Sequence, residues 1–450
     1  MDKYILNLLR DAASTSDGEI DIILQKAANF EGLNHKEVAA LLATEKKEHL
    51  DRILNVAGQV KQHIYGKRIV LFAPLYISDY CINRCTYCGF NHHNSTKTRR
   101  KLTQEEVKKE VAVLERMGHK RLALEAGEDP ENCPLDYVLD CINTIYTTSD
   151  IRRVNVNVAA MPTDSYRKLK DAEIGTYILF QETYHRETYE NVHKGGPKAD
   201  YDYHLTAFER AMEAGIDDVG GGVLFGLYDY KYEVLALMLH NESLEEKFGV
   251  GFHTISVPRI RDTGIKGKYP YAVSDKDFLK LVAVLRIAVP FTGMIVSTRE
   301  TPEMRKKLIT TGISQMSAGS NTSVGGYSGG NIDVSSGQFS LADHREANEI
   351  FYWLMEEGVL PSFCTACYRR GRSGDTFMEM AKGGDIKNIC LPNGLITLKE
   401  YALDYGDDHF KSLSEALIKE NLTHIENKKT RDVVEEKLAL LANGERDLYI

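Results

Sequence analysis

The 450-residue chain has no apolar run approaching ~18 residues, so it holds no candidate membrane-spanning helix. It has no basic block either. Its 56 Lys and Arg face 65 Asp and Glu, and the net charge of −9 argues against a nucleic-acid partner. The first residues, Met1-Asp2-Lys3-Tyr4-Ile5-Leu6, lack the basic region and apolar core of a signal peptide. A cytoplasmic protein with no membrane partner is the expectation. Cysteine is scarce: eight residues in the whole chain are too few for a disulfide scaffold. The 43% hydrophobic and 27% charged content is that of an ordinary globular protein. The length exceeds one small core and suits a barrel-sized domain of ~250 residues with additions.

The few cysteines are unevenly placed. Cys81, Cys85 and Cys88 form one compact group, Cys364, Cys367 and Cys390 another, and Cys133 and Cys141 stand apart. In a reducing compartment such grouping favours metal over disulfides. Cys81-Ile82-Asn83-Arg84-Cys85-Thr86-Tyr87-Cys88 is a C-x3-C-x2-C run. Three thiolates hold three corners of a cubane iron–sulfur cluster and leave the fourth iron open to chemistry. A zinc site or chance spacing is the alternative, but zinc sites usually pair two knuckles. With Tyr87 before the last cysteine and Gly89-Phe90 after it, the segment resembles that of radical S-adenosylmethionine (SAM) enzymes. The resemblance implies a 4Fe-4S cluster whose open iron binds the amino and carboxylate groups of SAM.

From about residue 68 to 320, β-branched apolar runs alternate with helical patterns. The candidate strands are Ile69–Leu75, Arg121–Glu125, Arg153–Ala159, Tyr177–Gln181, Val219–Phe225, His253–Val257, Met294–Thr298 and Gln315–Ala318. Helix signals lie between them: the capping box Thr103-Gln104-Glu105-Glu106, the stripe Leu205, Phe208 and Met212 ending at Gly215, and Ser274-Asp275 as a third start. Eight strand–helix units imply parallel strands closing into an α/β (β/α)8 TIM-type barrel over 67–320. A doubly wound open sheet is the rival, but no G-x-G-x-x-G follows the first strand. Residues 1–66 read as an N-terminal helical extension, and 321–450 as a mostly helical region carrying the second cysteine group. The glycine-rich run from Asn321 to Gly330 fits either a linker or a loop facing substrate or cluster.

Loops after the strands form one barrel face, where active sites sit. The first cysteine group follows strand one and belongs there. Ala126-Gly127-Glu128-Asp129 follows strand two, where radical SAM proteins carry a Gly-Gly-Glu-Pro-like segment that contacts the SAM amino group; Glu128 keeps the acceptor. Glu182 and Arg186 follow strand four and are candidates for the SAM ribose or carboxylate. Their plain alternatives are a helix-start acid for Glu128 and a surface ion pair for Arg186. Arg299 and Ser317 end strands seven and eight. An arginine at a barrel mouth grips a carboxylate through two parallel hydrogen bonds, so this pair is the candidate clamp for an amino-acid substrate. An Arg299–Glu300 pair serving stability alone is the competing reading.

Cys364-Thr365-Ala366-Cys367 and Cys390 form C-x2-C-x22-C, again without a fourth thiolate. A second cluster with an open iron is one reading, and a zinc knuckle completed by a distant histidine the other. With both groups in place the chain resembles the tyrosine lyases of FeFe-hydrogenase maturation (the HydG family) over nearly its whole length. The shared segments include Gln181-Glu182-Thr183-Tyr184, Leu224-Phe225-Gly226-Leu227-Tyr228-Asp229, His253-Thr254-Ile255-Ser256-Val257-Pro258-Arg259 and Ser297-Thr298-Arg299-Glu300. The thiamine-pathway tyrosine lyases (ThiH) share the barrel motifs but lack the cysteine tail.

The resemblance implies cleavage of the Cα–Cβ bond of L-tyrosine to p-cresol and dehydroglycine. Carbon monoxide and cyanide then form at an auxiliary iron–sulfur cluster, giving an iron–carbonyl–cyanide unit for the hydrogenase. It also implies an extra iron bridged by a free cysteine and ligated by His253, a flavodoxin- or ferredoxin-type electron donor, and the maturases HydE and HydF as partners. A lyase that stops at dehydroglycine, or a non-catalytic iron–sulfur carrier, are the other classes. His253 starts strand six, so it is expected at the mouth opposite Cys81, roughly 20 Å away at ~3.3 Å per residue. Asn155, Asn157, Gly220, Gly221, Gly222 and Ser256 would give the barrel a small and polar interior. Phe252 stands where the family pattern has proline, and a bulkier neighbour is expected to bear on the placement of the His253 ring.

Overall fold

The computed structural model describes residues 1–261, 269–329 and 337–450. Eight parallel strands close on themselves: β1 (Arg68–Ser78), β2 (Arg121–Ala126), β3 (Arg153–Asn157), β4 (Tyr177–Ile178), β5 (Val219–Gly222), β6 (Thr254–Ser256), β7 (Gly293–Val296) and β8 (Gln315–Ser317). β8 pairs with β1 and β1 with β2, which completes the ring. The (β/α)8 barrel expected from the alternation is therefore present. Most strands stop earlier than expected, their ladder pairing ending short of the upper mouth. Pairing survives there as single bridges, Glu182 to Val223 and Phe225 to Arg259.

The helix starts follow from capping. Thr103 accepts from Glu106 N and opens Gln104–Arg116; Ser274 accepts from Asp277 N and opens Asp275–Ala288. The stripe of Leu205, Phe208 and Met212 spans two short helices, Tyr201–Leu205 and Ala207–Glu213, broken at Thr206. The N-terminal helices pack on the outside of the barrel, Lys47–Tyr65 lying against Asp275–Ala288 and Pro302–Thr311.

A ninth strand, β9 (Leu360–Ser362), was not expected. It pairs parallel with Arg68–Val70, the first residues of β1, below the point where β2 begins at Ala73↔Leu122. Pro361 cannot donate a ladder bond, which conceals the strand in the sequence, yet it is tolerated because β9 is an edge. This strand anchors the C-terminal helices beneath the barrel. Gly330, the end of the glycine-rich run, lies outside the described residues.

Side chains alternate between the barrel interior and the outer helices. Gly220 and Gly222 face inward: an added Cβ would meet Thr254 Oγ1 at 2.7 Å and the Phe180 ring at 2.4 Å. Gly221 faces outward, against the expectation of three inward glycines. Its missing side chain admits the buried Phe252 ring, 2.8 Å from where its Cβ would be. Phe252 also packs against Phe208 and His240, so it points away from the barrel axis and belongs to the outer core.

Candidate active site

The loop after β1 is pinned on several sides. Ile82 N donates to Glu128 O at 2.8 Å, Arg84 N to Gly195 O at 2.9 Å and Thr86 N to Val192 O at 2.9 Å. Two glycines permit the close approach. A Cβ on Gly127 would lie 2.2 Å from Tyr80 O, and one on Gly89 would lie 2.6 Å from Gln338 O. The result places Cys81, Cys85 and Cys88 on one wall of a cavity at the upper barrel mouth. Burial pushes all three thiols above their ordinary range, Cys85 the most. Buried thiolates need a cation to exist, and bound iron would supply it. Among the described residues no three Cys, His, Asp or Glu side chains converge on one point from which a single ion could be held. A cubane instead spreads its thiolates over separate corners.

Tyr87, Glu128 and Glu182 line the same cavity. His193 Nδ1 lies 2.9 Å from Tyr189 O and must donate to that carbonyl, so Nε2 accepts from the Tyr87 hydroxyl at 2.8 Å. Asn83 Nδ2 donates to Glu128 at 2.6 Å, while burial still holds the Glu128 carboxyl above its usual range. Glu182 sits at φ 67°, a left-handed conformation rare for a side-chain-bearing residue. That turn aims its carboxylate at Lys198 Nζ, 2.8 Å away, with both side chains mostly buried.

The expectation for Arg186 is not met. It opens the helix Arg186–Val192, points outward, pairs with Asp202 (Nη1–Oδ2 3.1 Å) and stacks on Tyr201. Its side chain is 48% exposed and lies outside the cavity. Lys198 supplies the cation there instead. Burial opposes its charge, but Glu182 and then Cys85 hold the ammonium above its ordinary pKa. Lys198 comes from a single 3-10 turn, Pro197–Ala199, too short to show a periodicity in the sequence.

Arg299 and Ser317 also line the cavity. Glu300 is not the partner of Arg299. It is held by Arg259 through two bonds of 2.8 and 2.7 Å, with Arg261 at 3.2 Å. The Arg299 guanidinium lies 3.5 Å from the centre of the Phe339 ring and has no hydrogen-bond partner among the described residues. Ser317 Oγ is buried and equally unpartnered. Two free donors on one wall suit a carboxylate. Glu125 was missed. It faces the cavity two residues above Ala123, beside Asn157, and burial pushes its carboxyl up to about 8, against the Asn157 hydrogen bond and the charge of Arg299. Its signal was a charged residue at an inward position of a barrel strand. From the glycine-rich segment, Thr322 lines the cavity and Tyr327 bonds to Pro74 O, so its described part is a cavity-facing loop.

The second cysteine group gathers at the lower mouth. Cys364 follows β9, and Arg121, the first residue of β2, donates to its carbonyl at 2.8 Å. The neighbouring Cys367 thiol, then Arg68, Arg372 and Arg121, hold Cys390 below its ordinary pKa against burial. His253 immediately precedes β6 at the same end, its ring 4.3 Å from that of Phe377 in the tail helix Gly374–Lys382. β1, eleven residues long, runs from the tail group to the first cysteine loop and would span about 33 Å at full extension.

The model of the radical SAM superfamily matches residues 75–240, and that of the biotin and thiamin synthesis associated domain matches 256–360. The 2-iminoacetate synthase of Escherichia coli is 28% identical over 348 residues, covering 77% of this chain and 90% of that protein. The crystal structure of a HydG, a maturase of the [FeFe]-hydrogenase, is 56% identical with a TM-score of 0.97, covering 100% of this chain and 99% of its own. The FeFe-hydrogenase maturase HydG from Carboxydothermus hydrogenoformans is 39% identical over 97% of both chains, with a TM-score of 0.86. With cavity, barrel and tail matched along its full length, the chain belongs to the HydG family of radical SAM proteins.

Proposed function

We propose that the chain cleaves L-tyrosine to p-cresol and dehydroglycine and turns the fragment into carbon monoxide and cyanide for assembly of the FeFe-hydrogenase cluster. The observation that carries this reading is the pairing of two three-cysteine groups at opposite mouths of one barrel. Cys81, Cys85 and Cys88 would hold a 4Fe-4S cluster, Cys364, Cys367 and Cys390 an auxiliary cluster, and His253 with a free cysteine would hold an extra iron. When bound, the first cluster and SAM supply a 5′-deoxyadenosyl radical able to take a hydrogen atom from the tyrosine amino group. The residues of the chain bind and orient. Glu128 and Glu182 accept from SAM, Lys198 places the Glu182 carboxylate, and Arg299 with Ser317 takes the substrate carboxylate. A flavodoxin- or ferredoxin-type donor would supply electrons, and HydE and HydF would act in the same assembly.

Anaerobic incubation of reconstituted protein with SAM, dithionite and tyrosine tests the proposal. Cresol with carbon monoxide and cyanide is expected. Cresol and glyoxylate alone would favour a 2-iminoacetate synthase, and absence of deoxyadenosine under every reducing condition would defeat both lyase readings. Within the SAM site, Arg186→Ala is expected to leave cresol turnover within about twofold of wild type, as for any exposed ion pair. Lys198→Met should raise the KM for SAM at least ~10-fold by leaving a buried carboxylate unpaired. Steady-state kinetics on both variants decide the assignment; the reverse order would restore Arg186 to the site.

A further inference from the structure

Asp218 immediately precedes β5 and is 2% exposed. Both of its carboxylate oxygens are buried, and neither has a hydrogen-bond partner among the described residues. Neither Arg121 nor Arg153, the cations around Tyr368, donates a hydrogen bond to Asp218. Arg121 gives Nη2 to Cys364 O and Arg153 gives Nη1 to Glu173 O, and both stack on the Tyr368 ring. The Tyr368 hydroxyl is engaged with Thr176 Oγ1 at 3.1 Å. A buried carboxylate left in this state costs stability, so its presence calls for a reason outside the fold.

The group it faces is His253. Nδ1 of that ring lies 3.6 Å from Asp218 Oδ2, is itself buried, and has no partner. Nε2 makes no hydrogen bond among the described residues. The β5–β6 ladder fixes the two residues side by side: His253 N donates to Val219 O at 2.9 Å, and Gly220 pairs with Thr254. Two orphaned polar groups thus meet at the mouth where the tail cysteines gather. An imidazole that binds a metal through one nitrogen generally donates its other N–H to a carboxylate, which sets tautomer and ring orientation.

We infer that Asp218 is the positioning residue of His253: it accepts Nδ1–H and so leaves Nε2 as the lone pair offered to iron at the tail-cysteine site. The inference rests on the reading of His253 as an iron ligand. It adds the residue that makes this histidine a ligand in one defined orientation.

The test compares reconstituted wild type, Asp218→Ala, Asp218→Asn and His253→Ala, each titrated anaerobically with ferrous iron. Three readouts are taken: iron bound beyond that of the cysteine clusters, the electron paramagnetic resonance spectrum of the reduced tail cluster, and thermal unfolding of the metal-free chain. Asp218→Ala is expected to weaken ferrous iron binding about 10–100-fold and to shift the tail-cluster signal. Asp218→Asn, whose side-chain oxygen still accepts Nδ1–H, should lose less. Both metal-free Asp218 variants should unfold no earlier than wild type, because without iron neither carboxylate oxygen makes a hydrogen bond that the substitution removes. Iron binding by Asp218→Ala within twofold of wild type would overturn the inference, as would early unfolding of both metal-free variants, the mark of a structural role. If His253→Ala binds iron as tightly as wild type, the ligand reading falls and the inference with it. If His253→Ala loses iron while Asp218→Ala keeps it, the role of Asp218 alone falls.

Discussion

Cys364→Ala combined with Cys367→Ala is expected to lower carbon monoxide formation more than ~100-fold while cresol formation stays within about threefold of wild type, since only the tail metal site is dismantled. Geometry carries this asymmetry. The cavity that holds Cys81, Cys85, Arg299 and Ser317 includes none of the tail cysteines. The tail hangs from the opposite end of β1 through β9, and it meets the barrel through main-chain bonds that alanine preserves, such as Arg121 Nη2 to Cys364 O. Cyanide and glyoxylate measured alongside cresol identify where the fragment goes. Glyoxylate should accumulate when the tail site is gone, because dehydroglycine hydrolyses in water. Loss of cresol together with carbon monoxide would mean that the tail serves the barrel structurally and that the two-site reading is wrong.

Much of this arrangement was legible because local chemistry dictated it. The eight strands showed as β-branched runs, and Thr103 and Ser274 marked helix starts by their capping oxygens. The cysteine spacings announced the candidate metal sites, and His253 at the start of strand six pointed to the mouth opposite Cys81. The illegible parts depend on contacts distant in sequence. β9 is three residues long and contains Pro361, so nothing local distinguishes it from loop. Arg186 and Lys198 are both basic residues following β4, and only the tertiary turn at Glu182 decides which one meets its carboxylate. Asp218 follows Asp217 ahead of a glycine-rich strand and reads as a turn acid until β6 brings His253 beside it. Composition alone puts Gly221 inward with its neighbours, although the period of two that places Gly220 and Gly222 inside must turn it out. The same period, applied to Arg121, Ala123 and Glu125, would have placed a carboxyl inside the cavity.

That carboxyl has the second large expected effect. Tyrosine enters as a zwitterion, and its nitrogen must shed a proton before a hydrogen atom can be taken from a neutral amine. With Arg299 and Ser317 on the substrate carboxylate, Glu125 is a buried carboxyl within electrostatic reach of that clamp, and its pKa of about 8 suits a base near neutral pH. Glu125→Gln keeps the shape and the neighbouring Asn157 but removes the base. It is expected to lower the kcat for cresol about 100-fold or more, with a smaller change in the KM for tyrosine. In wild type the rate should rise as pH passes through about 8, where Glu125 becomes the ionised acceptor; in the variant that limb should vanish. Stability separates this from misfolding. The folded-state pKa lies above the value of 4.5 for a free carboxyl, so the native chain binds the extra proton between those values and loses stability as pH rises through that window. Glutamine carries no such penalty, so at pH 8 the variant should unfold no earlier than wild type. A variant that keeps the limb near pH 8, or turns over within about threefold of wild type, would remove Glu125 from the proton path.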